Sequence, residues 1–208
     1  MQLDWGKKFE EAGALWRMNY DAEGAHAQLT SGKHSDAFIN CSKIVENPVL
    51  VTEAAEGMIE KLEDTPGYEK PEWVVGPAYG AITFAYEVAR QLGAKFGFTE
   101  VEYTDEGKMQ VLKRFDIPEH AKTLVIEDVV TTGGSAMKTV NVLKEKGVDV
   151  LPMVGFIMNW TGKDEIDGNK LVPLINAQMM VYEPENCTLC KEGREAVRPK
   201  ANWDKLAR

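Results

Sequence analysis

The segment TLVIEDVVTTGGSA, Thr123 to Ala136, limits the possible folds of this chain more than any other. Thr123 to Ile126 is an apolar, β-branched run of the kind that fills a buried strand. Glu127 and Asp128 follow at its carboxyl end. Thr131, Thr132, Gly133, Gly134 and Ser135 then lead into a helical pattern that begins near Ala136 and runs to Lys146, with Gly147 beyond it. Open parallel sheets place their ligand crevices at the carboxyl ends of their strands, so a strand, an acidic pair, a small-residue loop and a helix in that order describe a binding site.

The residue types say what such a site can hold. Gly133 and Gly134 let backbone N–H groups converge with no Cβ in the way, and the helix N-terminus behind them favours a negative charge. Thr131, Thr132 and Ser135 add hydroxyl donors. The two carboxylates would repel a phosphate, but they are good acceptors for a pair of neighbouring hydroxyls such as those of a ribose. No Lys follows the glycines, which excludes a P-loop, and G-x-G-x-x-G is absent, which excludes the dinucleotide fingerprint. A strand ending in acids before a ligand-free Gly turn is the plain alternative.

VIEDVVTTGGSA is similar to the phosphoribosyl pyrophosphate signature of type I phosphoribosyltransferases: apolar residues, two acids, two apolar residues, then a Thr/Gly/Ser loop. The resemblance implies that Glu127 and Asp128 bind the ribose 2′ and 3′ hydroxyls and that Thr131 to Ser135 bind the 5′-phosphate. It covers most of the chain, from about Leu29 to Pro199, and implies that family's doubly wound α/β fold.

Other stretches extend it. WVVGPAYGA, Trp73 to Ala81, repeats the strand, loop and helix order, with a helix to Leu92 and Gly93 as its cap. Such a loop can present N–H groups to an anion or be only a tight turn; in the family it cups the pyrophosphate, which assigns Gly76, Pro77, Ala78, Tyr79 and Gly80 to that site. LTSGKHSDAFINC, Leu29 to Cys41, reads as a turn at Thr30 to Gly32 followed by strand character from Ala37 to Cys41. It resembles the substrate segment of the family members that act on orotate, which makes Lys33 an anion-binding residue and Phe38 the residue packed on the pyrimidine. Some relatives carry a Lys where Thr30 stands. His34 is as well suited to a structural hydrogen bond as to a ligand.

Ala94 to Thr99 has strand character, and Glu100 to His120 is a long polar excursion, which in a compact domain is functional or mobile. In the family it is the hinged loop that closes over the site, often of the partner subunit, with basic side chains on the pyrophosphate. Here Glu100, Glu102, Asp105 and Glu106 come before any base, so Lys108, Lys113 and Arg114 are the candidate cations, with Lys108 the catalytic one; for Lys113 or Arg114 singly, a solvated surface charge is an equal reading.

The remaining chain sets the frame. Residues 5 to 20 place Trp5, Phe9, Ala12 and Trp16 at helical spacing, and Pro48 opens a helix to about Glu63 with Val51, Ala55, Met58 and Leu62 on one face. Val148 to Asn159 and Ala177 to Tyr182 are further strands. Alternation of strands and helices predicts an α/β class with a doubly wound, mostly parallel sheet. A chain of 208 residues, 44% hydrophobic, suits one domain, divided into an N-terminal hood (about 1–45), a core (46–182) and a tail (183–208). A formal net charge of −9 argues against nonspecific nucleic-acid or membrane-surface binding. The absence of a long apolar run or a leader pattern gives a cytoplasmic expectation. Cys187 and Cys190 form a C-x-x-C that could be half a zinc site or a redox pair. Metal binding would need two more ligands, and with Cys41 the only other thiol a reduced, structural pair is expected. No dedicated metal cage is expected elsewhere: Mg2+ would come with the diphosphate, held mainly by its oxygens. The resemblance thus implies transfer of a phosphoribosyl group from phosphoribosyl pyrophosphate to orotate, in a homodimer with sites shared across the interface. A transferase for another base, and a noncatalytic sensor of phosphoribosyl pyrophosphate, are the alternatives.

Overall fold

The computed structural model describes residues 4–29, 31–104, 107–176 and 179–206, and only the backbone of residues 104 and 107–109. The chain divides into two compact units, residues 45–177, and residues 1–44 with 178–208. The hood and the tail, separate parts on the sequence division, therefore belong to one unit.

The larger unit opens with helix α1, Pro48–Glu63. Asn47 starts it by accepting hydrogen bonds from the backbone N–H groups of Val49 and Leu50, and Pro48 fits the first turn, where its missing N–H costs nothing. Strand β1 is Trp73–Pro77, helix α2 is Ile82–Leu92, β2 is Lys95–Thr104 and β3 is Gly107–Val111. Strand β4 is Lys122–Val130, helix α3 is Gly134–Glu145, β5 is Asp149–Asn159, β6 is Glu165–Ile166 and β7 is Asn169–Asn176. The seven strands lie in the order β6-β7-β5-β4-β1-β2-β3. β7, β5, β4, β1 and β2 run parallel, and the edge strands β6 and β3 are antiparallel to their neighbours.

The sheet is covered on both faces because its central strands alternate two apolar sets. Val75, Val125, Val154 and Phe156 pack with Ala136, Met137, Val140 and Leu143 of α3. One residue along, Gly155 lies so close to Met58 and Leu62 of α1 that a Cβ there would meet the Met58 sulfur at 2.9 Å, and one at Gly76 would meet Ala85 of α2 at 3.0 Å. Helices on both faces of a parallel sheet make the doubly wound fold that the strand and helix alternation predicts.

Three expectations are corrected. Glu127 and Asp128 lie within β4, which runs to Val130, and not after its end. The excursion from Glu100 is largely a β-hairpin, with Glu100 opposite Val111 and Tyr103 opposite Lys108. Ala177 to Tyr182 is not a core strand. Residues 177 and 178 lie outside the described residues, Val181–Tyr182 belongs to the smaller unit, and the last core strand is Asn169–Asn176.

In the smaller unit the first helix is Trp5–Glu11, capped by the Asp4 carboxylate, which accepts from the Lys7 N–H. The helix does not reach Trp16 as the apolar spacing suggests. Gly13 turns the backbone left-handed at φ 65°, and Trp16 sits in the strand Leu15–Arg17, paired antiparallel with Ala37–Ile39. A second small sheet orders Val181–Tyr182, His34–Ser35, His26–Gln28 and Ala196–Val197. Trp16, Ala27, Cys187, Leu189 and Val197 form its apolar centre, and the Trp16 indole donates to the Leu206 carbonyl at 2.5 Å. Among the described residues no helix is long and apolar enough to cross a membrane.

Candidate active site

Strand register brings the two loops of the larger unit to one end of the sheet. Val75 pairs with Val125, so two residues further on Pro77 and Glu127 leave the paired region at the same level. After Pro77 the chain passes through Ala78, Tyr79 and Gly80 into α2, with the Ala78 N–H donating to the Thr99 carbonyl at 2.7 Å. Gly80 lies directly against the Asp128 carboxylate, so closely that any Cβ there would collide with Oδ2. The loop expected to hold pyrophosphate and an acid expected to hold ribose are thus in contact.

The loop expected to hold phosphate, Thr131 to Ser135, follows β4. Gly133 caps α3 in a left-handed conformation, φ 84°, and a Cβ there would also meet Ile166 at 2.5 Å. Because Gly133 has no side chain with which to cap the helix, the first N–H groups of α3 remain available to an outside acceptor. Thr131, Thr132 and Ser135 are exposed around them, and an open recess of about 220 Å³ is lined by this loop together with Glu127. This geometry suits a phosphate with a diol beside it.

The acids have unequal surroundings. Glu127 is only 6% exposed, and burial, with the neighbouring Asp128 charge adding to it, holds its carboxyl well above the usual carboxylate range. Its Oε1 accepts from the Asp128 N–H at 3.1 Å. Asp128 is half-buried and accepts from the Val129 N–H at 2.8 Å. Sequence shows two adjacent acids; that one is sealed from solvent, which disfavours its charged form, is visible only in the fold. Every side-chain donor here is an oxygen, which fits a hard cation such as magnesium.

The candidate cations are distributed otherwise. Lys113 pairs with Glu102 at 2.9 Å and Arg114 with Glu100 at 3.1 Å, on the exposed face of the hairpin. Two of the acids that preceded any base in the sequence are therefore neutralised by bases of the returning arm. Lys108 lies in β3, but its side chain, like the whole of Asp105 and Glu106, is outside the described residues. In the smaller unit Lys33 pairs with Glu183 at 2.6 Å, and Phe38 packs edge-on against Trp203 at 6.3 Å. Thr30 is outside the described residues. The same unit brings His26 and His34 to Cys187 and Cys190, a grouping hidden from the sequence by more than 150 intervening residues.

The phosphoribosyl transferase domain family matches residues 41–176, which span the sheet, both loops and the acids, and the chain belongs to that family. It is similar to proteins named orotate phosphoribosyltransferase. That of Carboxydothermus hydrogenoformans is 36% identical over 95% of this chain and 96% of its own, and that of Caldicellulosiruptor bescii is 36% identical over 84% of this chain and 87% of its own. Among solved structures, the orotate phosphoribosyltransferase of Aeropyrum pernix superposes with a TM-score of 0.64 at 22% identity, over 82% of this chain and 92% of that one. The adenine phosphoribosyltransferase of Thermoanaerobacter pseudethanolicus gives 0.56 at 16% identity, over 68% of this chain and 88% of that one. The fold is common to transferases of either base.

Proposed function

We propose that the protein is an orotate phosphoribosyltransferase, converting orotate and phosphoribosyl pyrophosphate to orotidine 5′-monophosphate and pyrophosphate. The observation that carries this reading is near full-length similarity to orotate phosphoribosyltransferases, supported by two Gly-containing loops and an acidic pair that meet at one end of the sheet.

In this mechanism α3 and the Thr131 to Ser135 loop fix the 5′-phosphate, Glu127 and Asp128 accept from the ribose hydroxyls, and Gly76 to Gly80 cradle the pyrophosphate. Holding the sugar at both ends leaves C1 facing the base, so positioning supplies much of the rate. The leaving pyrophosphate departs from C1 through an oxocarbenium-like state, stabilised by charges already in place, with no covalent nucleophile. Magnesium, carried largely by diphosphate oxygens and water with Asp128 as the accessible carboxylate, would neutralise the departing charge. Lys108 is the loop cation proposed for that charge, and Lys33 and Phe38 are proposed to hold the anionic base. Lys113 and Arg114 reach the pyrophosphate only by leaving their glutamate partners. The active species is proposed as a cytoplasmic homodimer whose loops are shared.

The test is a steady-state assay with phosphoribosyl pyrophosphate, magnesium and a panel of bases. Orotate turning over with the largest kcat/KM supports the reading. Preference for adenine or another base reassigns the substrate, and tight binding of phosphoribosyl pyrophosphate without turnover of any base makes the protein a sensor.

A further inference from the structure

The smaller unit holds a group of side chains that the transferase chemistry does not use. His26 and His34 come from adjacent antiparallel strands, while Cys187 precedes and Cys190 lies within the short helix Thr188–Lys191. His26 Nε2 is 3.1 Å from His34 Nδ1, 3.6 Å from Cys187 Sγ and 3.5 Å from Cys190 Sγ, and Cys190 Sγ is 3.3 Å from His34 Nδ1. All four ligand atoms lie within 4.8 Å of one another.

These separations can be compared with what a tetrahedral ion demands. With Zn–N near 2.05 Å and Zn–S near 2.3 Å, tetrahedral geometry puts N···N at about 3.3 Å and N···S at about 3.6 Å. The four edges given above fall within about 0.3 Å of those values, and the other two, His34 to Cys187 and Cys187 to Cys190, are no longer than 4.8 Å, so a small inward movement of these side chains would close a tetrahedron. His26, His34 and Cys187 are buried, and Cys190 closes the group at the surface. We propose that His26, His34, Cys187 and Cys190 form a structural zinc site that ties the N-terminal hairpin to the C-terminal segment.

The chemistry of the donors fits this assignment. Imidazole nitrogen and cysteine sulfur are the ligand types that zinc takes in closed four-ligand sites. The site has one cost. His26 Nδ1 is buried with no hydrogen-bond partner, so the ring lacks the second acceptor that usually orients a ligating histidine. A four-protein-ligand set leaves no open position, which makes the role structural and not catalytic. Stabilisation is needed here: this unit joins two chain ends through strands of two or three residues and has a small core.

Metal content of the full-length protein, purified without chelator or affinity metal and then incubated with one equivalent of Zn2+ and desalted, tests the proposal. About one zinc per chain is expected, with two of the three thiols shielded from a thiol reagent until a strong chelator is added. Cobalt in place of zinc should give the strong visible bands of a tetrahedral thiolate site. Cys190→Ser and His34→Gln should lose the bound metal, Cys41→Ser should keep it, and chelation of the wild type should lower Tm by about 5 °C or more. If a variant does not fold, the chelation and cobalt experiments on the wild type still decide. Less than about a tenth of an equivalent of zinc with all three thiols reactive, a Cys187–Cys190 disulfide that excludes metal, or an equivalent of zinc retained in Cys190→Ser and His34→Gln would each overturn the site.

Discussion

Asp128 is the residue on which the proposed sugar site bears most heavily, because it touches, through Gly80, the loop proposed to hold pyrophosphate and, in the proposed mechanism, holds the ribose through its carboxylate. Asp128→Asn keeps the shape and removes the charge, and should lower kcat/KM by about 1–3 kcal/mol in transition-state terms. An unchanged kcat/KM would remove the acids from the mechanism. Gly80→Ala tests the contact from the other side. The new methyl must displace the Asp128 carboxylate, so kcat/KM should fall by about tenfold or more, while denaturant stability changes by under about 1 kcal/mol because Gly80 is exposed. A Gly80→Ala enzyme with normal kinetics would show that the contact is incidental. Glu127 makes a pH prediction. Its folded pKa lies above the unfolded value near 4.5, so its contribution is complete below 4.5. As pH rises towards the folded pKa the unfolded chain releases the proton first, and stability is lost at up to about 1.4 kcal/mol per pH unit. Urea titrations from the carboxylate range to neutrality should show that slope in the wild type and not in Glu127→Gln; equal slopes would mean that Glu127 is not the proton-retaining group.

At the scale of elements, the central segment was legible because its strand, loop and helix are contiguous, so short-range pattern contains the acids and the loop beside them. α1 was equally legible, from Pro48 at its start to Val51, Ala55, Met58 and Leu62 on its buried face. The misplaced elements have physical reasons. Gly13 breaks an apolar spacing that would otherwise continue the first helix to Trp16. Pro173 hides β7, and is tolerated there because β6 covers only Asn169 and Lys170, leaving the strand beside Pro173 an open edge. The hairpin β2–β3 was obscured by its charge, since Glu100 and Glu102 read as loop until Arg114 and Lys113 are found against them. Exposed pairs of this kind contribute about 0–1 kcal/mol, so Lys113→Ala and Arg114→Ala should barely move stability. Lys108→Ala should instead lower kcat by about tenfold or more with a smaller effect on phosphoribosyl pyrophosphate affinity. Normal turnover in Lys108→Ala would pass the cation role to another residue.

Across the whole molecule, two kinds of information were unequally available. The α/β class, the parallel order and both loops follow from local pattern, whereas the smaller unit is assembled from residues at opposite ends of the chain, and its long-range pairings leave no local trace. Cys187 and Cys190 could be seen as a pair, but His26 meets Cys187 only through the fold. Assembly gives a prediction at this scale. If loops act across a homodimer, mixing the weakened Asp128→Asn and Lys108→Ala subunits should raise activity above that of either variant alone, by up to about a quarter of the wild-type activity per chain, from heterodimers with one intact site. No recovery after verified subunit exchange would place each loop over its own site.

The most direct measurement of the central claim is the rate of orotate consumption and pyrophosphate release, followed together in the wild type and in Asp128→Asn with phosphoribosyl pyrophosphate and magnesium. The account predicts equal rates of the two in the wild type, orotidine 5′-monophosphate as the product, and both rates falling together in the variant. Pyrophosphate release without orotate consumption, or orotate turnover that Asp128→Asn leaves intact, would contradict it.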